Sequence, residues 1–282
     1  AVKREMMKSF TTSKNSITTI AIGGFDGMHI AHQKLFSYLD EHGAIVAIET
    51  GYANLTPKSN RQRYSTLPIF YYPLEEIKHL SGQDFVKLLL EEFPNLQKIV
   101  VGYDFCFGKN RMYNTQSLKE LFKGEVIIVD EVTFDGIAIH SRTIREYLRD
   151  GNIAEANKFL GKEYTITGYM IAGQGIGKEQ FVPTINIEVL DFLIPKEGIY
   201  ATKTIIKNME YDSVSFIGHR VSTDGNFAIE THIIDKNIDF DGGNIEIKFF
   251  ERLRDNKKYE NLAELEKQIL EDINNAKSYF AR

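Results

Sequence analysis

One short segment, residues 20–39, constrains the fold of this chain more than any other part. It reads IAIGGFDGMHIAHQKLFSYL. Residues 18–22 are mostly apolar and β-branched, which predicts a buried strand, and Gly23-Gly24 let the backbone turn through angles that side chains forbid. Apolar residues then recur at helical spacing as far as Leu39. The segment therefore predicts a strand, a glycine turn and a helix in succession.

Two histidines, His29 and His32, fall in or near the first turn of the predicted helix, on one face. Free backbone amides and the helix dipole attract phosphate there, and imidazoles can hydrogen-bond an anion as its charge grows. Two alternatives remain open. A histidine pair at this spacing can bind zinc, although Cys106 is the only cysteine and no third ligand has metal spacing. The pair can also consist of packing residues.

The composition narrows the class of protein. A chain of 282 residues is long enough for two domains or one large one, and 43% hydrophobic content is ordinary for a globular protein. The net charge of -5 argues against a nucleic-acid partner. No apolar run has the length of a membrane span, and the N-terminal residues lack the apolar core of a signal peptide. We therefore expect a cytoplasmic protein, with its oligomeric state left open.

The first half of the chain alternates strands and helices, and this spacing implies a parallel sheet. Residues 51–73 contain three prolines and are predicted to form a long loop. The predicted strands are 43–49, 98–101 and 125–129, and the predicted helices run from Ser81 to Pro94, over 115–122, from about Ser141 and over 152–160.

Two polar segments of this half are candidate binding loops. Asp104, Phe105 and Phe107 directly follow a predicted strand, and open α/β sheets bind ligands at the carboxyl ends of strands. The alternative is an aromatic loop that fills its own interior. Further on, Ser141 can cap a helix and thereby bring a hydroxyl, free amides and Arg145 together, an arrangement that suits a triphosphate. A plain helix cap with a surface arginine is the alternative.

From about residue 161 the periodicity changes from helical to alternating, which predicts domains at 1–160 and 161–282. Short strands separated by turns indicate a small antiparallel barrel, followed by a helix that Asn261 caps. The predicted strands are 164–171, 184–189, 198–206, 213–217, 227–234 and 244–250.

The barrel half carries a second set of candidate residues. Gly173, Gly175 and Lys178 form a glycine run whose amides can cradle phosphate. Thr184 and Asn186 lie two apart on a predicted strand, so both side chains point to the same face. A hydroxyl and an amide carbonyl are hard oxygen ligands, which suit Mg²⁺.

Several of these motifs resemble one family. Residues 25–32, FDGMHIAH, resemble the FDGxHxGH signature of nucleotidyltransferases, specifically the adenylyltransferase half of bacterial bifunctional riboflavin kinase/FMN adenylyltransferases. The resemblance implies that His29 and His32 hold the ATP phosphates. The residues that it implies for nucleotide binding in the first half are Gly24, Phe25, Asp26, Gly27, His29, His32, Ser141 and Arg145, and those for the FMN side are Asp104, Phe105 and Phe107.

The resemblance continues through the barrel half. Residues 183–186, PTIN, match the PTxN motif of riboflavin kinases, and the glycine run resembles their nucleotide loop. Residues 230–232, ETH, imply that Glu230 is the general base for the riboflavin 5′-hydroxyl; the alternative is an exposed strand glutamate. The segment ending in Arg254 resembles the family's flavin side, where Phe249 can stack on an isoalloxazine and Arg254 can meet an anion. Core packing explains Phe249 equally well.

The sequence thus predicts an α/β plus β fold, with an N-terminal Rossmann-like nucleotidyltransferase domain and a C-terminal antiparallel barrel. The predicted enzyme uses Mg²⁺ and ATP to convert riboflavin to FMN and FMN to FAD. An enzyme that kept only the kinase is one alternative, because Ala31, His140 and Arg142 depart from the family motifs. A flavin-binding protein without turnover is another, although such a protein has no need of a base.

Overall fold

The computed structural model describes residues 12–171, 182–238, 240 and 242–282. The chain divides into two compact units, Ala1–Ser141 and Arg142–Arg282. The predicted phosphate residues Gly173, Gly175 and Lys178 lie outside the described residues. Within the described ranges, no helix is long and apolar enough to cross a membrane.

The first unit is built on a five-stranded parallel sheet with strand order β3-β2-β1-β4-β5, which confirms the predicted architecture. Its strands are β1 (Thr19–Gly23), β2 (Gly43–Glu49), β3 (Ile69–Pro73), β4 (Lys98–Gly102) and β5 (Glu125–Val129), and a small hairpin of β6 (Thr133–Phe134) and β7 (Ile137–Ala138) follows. Its helices are α1 (Ile30–Phe36), α2 (Leu74–Ile77), α3 (Gly82–Glu92) and α4 (Thr115–Leu121), with 3-10 turns at Lys14–Ser16, Lys58–Tyr64 and Lys109–Arg111.

The central strand β1 is apolar along its length because both faces of the sheet are covered. Ile20 and Ile22 point into one core cluster, which Phe85 of α3 joins from the covering layer. Ala21, between them, points into a second cluster that contains Phe36 of α1. The alternation of a strand thus divides its side chains between two cores, and the carboxyl edge of the sheet is left for the loops.

The prediction of one long loop over residues 51–73 is wrong for its last part. Residues 69–73 form β3, the edge strand that pairs with β2, and Ile69 and Phe70 are buried. The prolines misled the prediction because Pro68 only precedes this strand and Pro73 is its last residue. Both positions tolerate proline, since an edge strand leaves one side without ladder partners.

The second unit contains a closed six-stranded barrel in the order β10-β11-β12-β9-β8-β13, as predicted. All the strand pairings are antiparallel. The helices before the barrel are α5 (Ser141–Arg149) and α6 (Ile153–Leu160), the strands are β8 (Thr165–Ile171), β9 (Ile185–Val189), β10 (Gly198–Ile206), β11 (Met209–His219), β12 (Phe227–Ile233) and β13 (Asn244–Arg254), and the terminal helix is α7 (Leu262–Phe280).

Strands β11 and β13 are longer than predicted, because the prediction followed apolar residues and both strands extend into segments that contain charged residues. Glu210 on β11 forms ion pairs with Lys203 on the adjacent strand β10 at 3.6 Å and with Lys248 on β13, the strand beyond it, at 3.1 Å. Such cross-strand pairs favour the sheet without adding apolar residues. The predicted cap of α7 is confirmed, since Asn261 accepts a hydrogen bond from the Glu264 amide.

Asn157 of helix α6 forms hydrogen bonds with two segments of the barrel unit. The Asn157 side-chain amide donates to the Phe249 carbonyl at 2.9 Å, and its oxygen accepts from the Tyr164 amide at 2.8 Å. The chain divides into its two compact units between residues 141 and 142, so this helix belongs to the barrel unit, whereas the sequence pattern changes at about residue 161.

Five buried hydroxyls form a closed hydrogen-bonded ring inside the barrel. Each hydroxyl contacts two others at 2.7–3.0 Å, and none is more than 1% exposed. In order around the ring they are Thr202, Ser213, Thr204, Thr231 and Ser215. Because every hydroxyl can donate once and accept once, the ring satisfies its own polar groups without water.

Thr202→Val keeps the shape of the side chain and opens this ring. Ser213 and Ser215 each lose a partner in a buried site, so we expect the free energy of unfolding to fall by about 1–3 kcal/mol. Chemical denaturation of the barrel unit measures this loss. The matched control is Thr167→Val, at a half-buried strand position outside the ring; equal stability of the two variants would show that the ring contributes nothing.

Candidate functional site

The loop between β1 and α1, residues 24–29, is held in an uncommon backbone conformation. Phe25 and Met28 have φ angles of 54° and 47°, in the left-handed region that side chains disfavour. Both side chains are buried, at 3% and 0% exposure, and this packing holds the strained turn in place. Gly27, at φ 99°, takes a conformation available to glycine. The loop therefore has a fixed shape at the carboxyl edge of the sheet.

Asp26 fastens this loop to a second one. Its buried carboxylate accepts hydrogen bonds from the amides of Asn54, Leu55 and Thr56 at 2.9–3.0 Å. The Thr56 hydroxyl in turn accepts from the Gly27 amide at 2.7 Å. An ionised acceptor makes such bonds strong. In this structure the Asp26 side chain is thus an anchor for residues 54–56.

The two histidines predicted to act together are in direct contact. His29 is the N-cap of α1, and its Nδ1 accepts from the His32 amide at 3.3 Å. The rings stack with centroids 3.4 Å apart and an angle of 17° between their planes. Because Nδ1 of His29 accepts, the proton of the neutral ring is on Nε2, which is therefore a donor. The Phe25 ring meets the His32 ring edge-on at 5.2 Å.

The loop after β4 divides its predicted residues between surface and core. Asp104 is exposed, and the half-buried Phe105 ring stacks on Phe107 at 5.6 Å. Phe107 itself is 4% exposed and packs against Phe85 of α3. The structure thus corrects the assignment of Phe107 to a flavin contact, since its ring already fills the core.

The predicted helix start at Ser141 is placed beside the histidine loop. The Ser141 hydroxyl donates to the Asp26 backbone carbonyl at 2.7 Å, within the first unit. His140, at a position where the family motif has serine, lies 3.5 Å from the Tyr103 hydroxyl. The Tyr103 pKa is raised to about 12, chiefly by a hydrogen bond with Glu131. Arg145 follows one turn after Ser141 on α5, where it is half-buried.

A cavity of about 290 Å³, lined by barrel strands and by the terminal helix α7, brings several predicted residues together. Thr184, Glu230 and Arg254 all line it, and His232 lines it beside Glu230. Most of the cavity surface is apolar, and the apolar residues that line it include Val182, Ile199, Val214, Phe216, Leu265 and Ile269. A concave, mostly apolar site with a few converging polar groups is typical of small-molecule binding.

Glu230 is a half-buried carboxylate at this cavity, with 13% of its side chain exposed, so the alternative of an exposed strand glutamate is wrong. Burial raises its pKa, the Arg220 guanidinium opposes that rise, and Asp224 adds to it. The Arg220 Nη1 lies 3.6 Å from the Glu230 Oε1. That oxygen is buried and has no hydrogen-bond partner among the described residues. Its lone pairs are therefore available to a hydroxyl donor.

Asn186 lies next to this carboxylate in the barrel wall. It pairs in register with Glu230 across β9 and β12, and its Oδ1 is buried without a hydrogen-bond partner within the described part of the chain. Thr184 stands just before β9. His232 fixes this corner, because its Nδ1 donates to the Pro183 carbonyl at 2.7 Å. His232 is therefore a structural partner of the PTIN segment.

Two residues predicted for the flavin side differ in their surroundings. Arg254 donates from Nε and Nη2 to the two carboxylate oxygens of Asp272, both at 2.7 Å, and so its guanidinium is held at the cavity wall. Phe249 is completely buried, with the rings of Tyr164 and Tyr200 at 6.3 and 5.2 Å. The prediction that Phe249 stacks on a flavin is therefore corrected: its ring belongs to the core.

Three residues of these sites were missed from the sequence. Thr56 and Arg220 stand in no recognised motif, and only the fold brings them to Asp26 and Glu230. Asp272 had a detectable signal, because it is a charged residue three positions after Ile269 on the apolar face of α7, where it is 4% exposed. A buried charge on an apolar stripe indicates a partner of opposite charge.

A parallel sheet with stacked histidines beyond its first strand, and a closed barrel whose wall presents a half-buried carboxylate to a cavity, define a two-unit enzyme with two candidate active sites. The family model of riboflavin kinase matches residues 160–280, and that of FAD synthetase matches residues 69–143. The chain belongs to the family of bifunctional riboflavin kinase/FMN adenylyltransferases.

Its relatives span nearly the same length. The bifunctional riboflavin kinase/FMN adenylyltransferase of Buchnera aphidicola subsp. Acyrthosiphon pisum is 32% identical, over 94% of each chain. The enzymes of the same name from Listeria monocytogenes and Escherichia coli K12 are 29% and 26% identical, over 93% of this chain and 92% of theirs. A crystal structure described as a macrolide-efflux protein from Streptococcus pneumoniae matches with a TM-score of 0.80 and 26% identity, over 95% of both chains.

Asp26→Asn tests the anchor between the two loops of the first unit. In the wild-type protein both carboxylate oxygens of Asp26 accept hydrogen bonds from backbone N–H groups. The asparagine variant places an NH₂ donor where one of these oxygens was, so at least one charged hydrogen bond is lost. We expect the free energy of unfolding of this unit to fall by about 1.5–3 kcal/mol. Urea denaturation measures the loss, and Asp84→Asn, at an exposed helix position, is the control. If both variants unfold like the parent protein, Asp26 is not an anchor.

Proposed function

We propose that this chain makes FMN from riboflavin at the barrel cavity and FAD from FMN in the N-terminal unit, with ATP as the co-substrate of both steps. The observation that carries the proposal is the cavity that Glu230, Thr184 and Arg254 share. The relatives named for both activities support it along the whole chain. In terms of activity we assign residues 1–160 to the adenylyltransferase domain and 161–282 to the riboflavin kinase domain.

In the kinase step Glu230 is the general base. Its carboxylate takes the proton of the riboflavin 5′-hydroxyl, whose oxygen forms a bond to the γ-phosphorus of ATP while the bond from that phosphorus to the β-phosphate oxygen breaks and ADP leaves. Burial supports this role, because a raised pKa makes Glu230 a stronger base than an exposed glutamate.

The oxygen donors beside Glu230 fit a magnesium ion. Asn186, which pairs in register with Glu230, offers a buried Oδ1 without a hydrogen-bond partner in the described residues, and Thr184 offers a hydroxyl at the cavity that Glu230 lines. We propose that these two side chains hold Mg²⁺ together with the nucleotide phosphates. When bound there, the ion supplies positive charge against the phosphate oxygens.

The remaining kinase residues are assigned to substrate binding. Gly173, Gly175 and Lys178 stay proposed, together with Thr184, as the residues that bind the ATP phosphates. The apolar cavity wall suits the flat isoalloxazine ring of a flavin, and Arg254, held by Asp272, is a fixed donor on that side.

In the adenylyltransferase step the residues bind and orient. An oxygen of the FMN phosphate forms a bond to the α-phosphorus of ATP. The bond from that phosphorus to the oxygen bridging it to the β-phosphorus breaks, and pyrophosphate leaves. The nucleophile is already an anion, so the step needs donors to the phosphates and no base. We assign this role to His29 and His32, whose rings are held together at the carboxyl edge of the sheet.

Other residues complete the proposed adenylyltransferase site. We assign the backbone of the β1–α1 loop and the Ser141 side chain to nucleotide binding, and Asp104 and Phe105 to the FMN side. Arg145 stays proposed as a nucleotide-binding residue from the sequence motif. The loop residues are Gly24, Phe25, Asp26 and Gly27. We also propose a cytoplasmic location, which the single half-buried Cys106 suits, since such a chain needs no disulfide.

A chain that keeps only the kinase activity is the second candidate. The observation that favours it is Ala31, which is half-buried in the first turn of α1, between the two histidines. A methyl group at this position narrows the space beside the phosphate site relative to glycine.

The His29→Ala and His32→Ala variants separate the two activities. We expect each to lower FAD formation from FMN by at least about 100-fold, because phosphate donors are lost, while FMN formation from riboflavin stays at the parent rate. Chromatography of the flavin products measures both reactions in one protein. His79→Ala, at an exposed position of the same unit, is the control. Equal loss of both activities would contradict two separate sites.

Glu230→Gln is the complementary variant. It keeps the shape of the side chain and removes the base, so we expect riboflavin phosphorylation to fall by about 10²–10⁴-fold with FMN adenylylation unchanged. The same chromatographic assay measures both rates, and Glu188→Gln, exposed on β9 of the same barrel, is the matched control. A Glu230→Gln enzyme with full kinase activity would remove Glu230 from this role.

A further inference from the structure

Arg220 occupies a charged cluster at the rim of the barrel cavity that belongs to none of the sequence motifs. It follows β11 directly and lines the cavity together with Glu230. Its Nη1 lies 3.6 Å from the Glu230 Oε1, and its Nε lies 3.3 Å from the Asp224 Oδ1. One guanidinium therefore bridges two carboxylates.

A tight turn fixes the backbone of this arginine. The Arg220 carbonyl accepts from the amides of Thr223 and Gly225 at 2.9 and 3.0 Å, and its amide donates to the Asn226 carbonyl at 2.9 Å. The backbone position of Arg220 is therefore fixed, and its guanidinium extends toward Glu230 on β12.

The same turn is tied to the segment that follows β13. The Ser222 hydroxyl accepts from the Tyr259 amide at 2.9 Å, and the Asn256 side chain donates to the His219 carbonyl at 2.9 Å. Both segments contribute to the cavity wall. The turn is therefore held in position at the cavity where Glu230 of β12 lies.

We propose that Arg220 is a positioning residue of the kinase reaction, which holds the Glu230 carboxylate toward the acceptor hydroxyl of riboflavin. This inference rests on the proposed function of the cavity. The distance supports it: at 3.6 Å the guanidinium attracts Oε1 without taking it into a short hydrogen bond, and that oxygen stays available to a substrate hydroxyl.

An arginine at a cavity that takes ATP can instead bind a phosphate directly. The two roles differ in what a substitution changes. A positioning residue acts through Glu230, so its loss lowers kcat and has no further effect once Glu230 is gone. A phosphate ligand acts on ATP itself, so its loss raises the KM for ATP in both backgrounds.

The test compares Arg220→Met, Arg220→Lys and Asp224→Asn in steady-state riboflavin kinase assays of the full chain. We expect Arg220→Met to lower kcat roughly 10- to 100-fold with the KM for ATP within about two-fold, and Arg220→Lys to recover part of kcat. Asp224→Asn leaves the contact with Glu230 in place, and its kcat is expected within about three-fold of the parent.

A double variant gives the decisive readout. In a Glu230→Gln background, Arg220→Met should leave the residual kcat unchanged, because the group that Arg220 positions is absent. A rise in the KM for ATP, a further loss in this background, or an unchanged kcat of the single variant would each overturn the proposal.

Two controls keep the outcomes separable. The FMN adenylyltransferase activity of each variant reports that the chain is intact, and Arg220→Lys, in the parent and in the Glu230→Gln background, carries the test if Arg220→Met does not fold. A parent protein without kinase activity, or a fully active Glu230→Gln enzyme, is a failure of the proposed function itself and is distinguished before Arg220 is tested.

Discussion

The alternation of side chains along β12 is the constraint on which the chemistry of the barrel depends. Thr231 points into the barrel and closes the hydroxyl ring, whereas Glu230 and His232, on either side of it, line the cavity. A shift of one residue in register would exchange these faces and bury a carboxylate among hydroxyls that already satisfy one another. The ring and the closed barrel therefore help to fix where the carboxylate lies.

In the first unit, the functional side chains are positioned by backbone amides and aromatic rings instead of by a closed barrel. The side chains of its sheet pack into two core clusters, so the loops at the carboxyl edge are held by hydrogen bonds and ring contacts instead. Asp26 ties one loop to another through three amides, and Phe25 packs in a strained conformation against His32. The histidine pair thus rests on a loop that is fixed from two directions.

The sequence predicted the elements that have one clear signal and missed those that depend on contacts. The apolar run of β1, the PTIN segment and the cap at Asn261 can be recognised locally, and the sheet, the barrel and the cap followed from such patterns. Phe107 and Phe249 look like ligand-stacking aromatics in a motif, but their burial depends on neighbours from other elements. Arg220 and Thr56 act on residues that only the fold brings near them, so no spacing rule finds them.

The central claim is that one chain carries two working sites that act in succession. Chromatography of the flavins formed from riboflavin, ATP and Mg²⁺, and separately from FMN, ATP and Mg²⁺, tests it most directly. The account predicts FAD from both mixtures, with FMN as an intermediate of the first. FMN as the sole product of the first mixture, with no FAD from the second, would contradict a working adenylyltransferase site, and no product from either would contradict both sites.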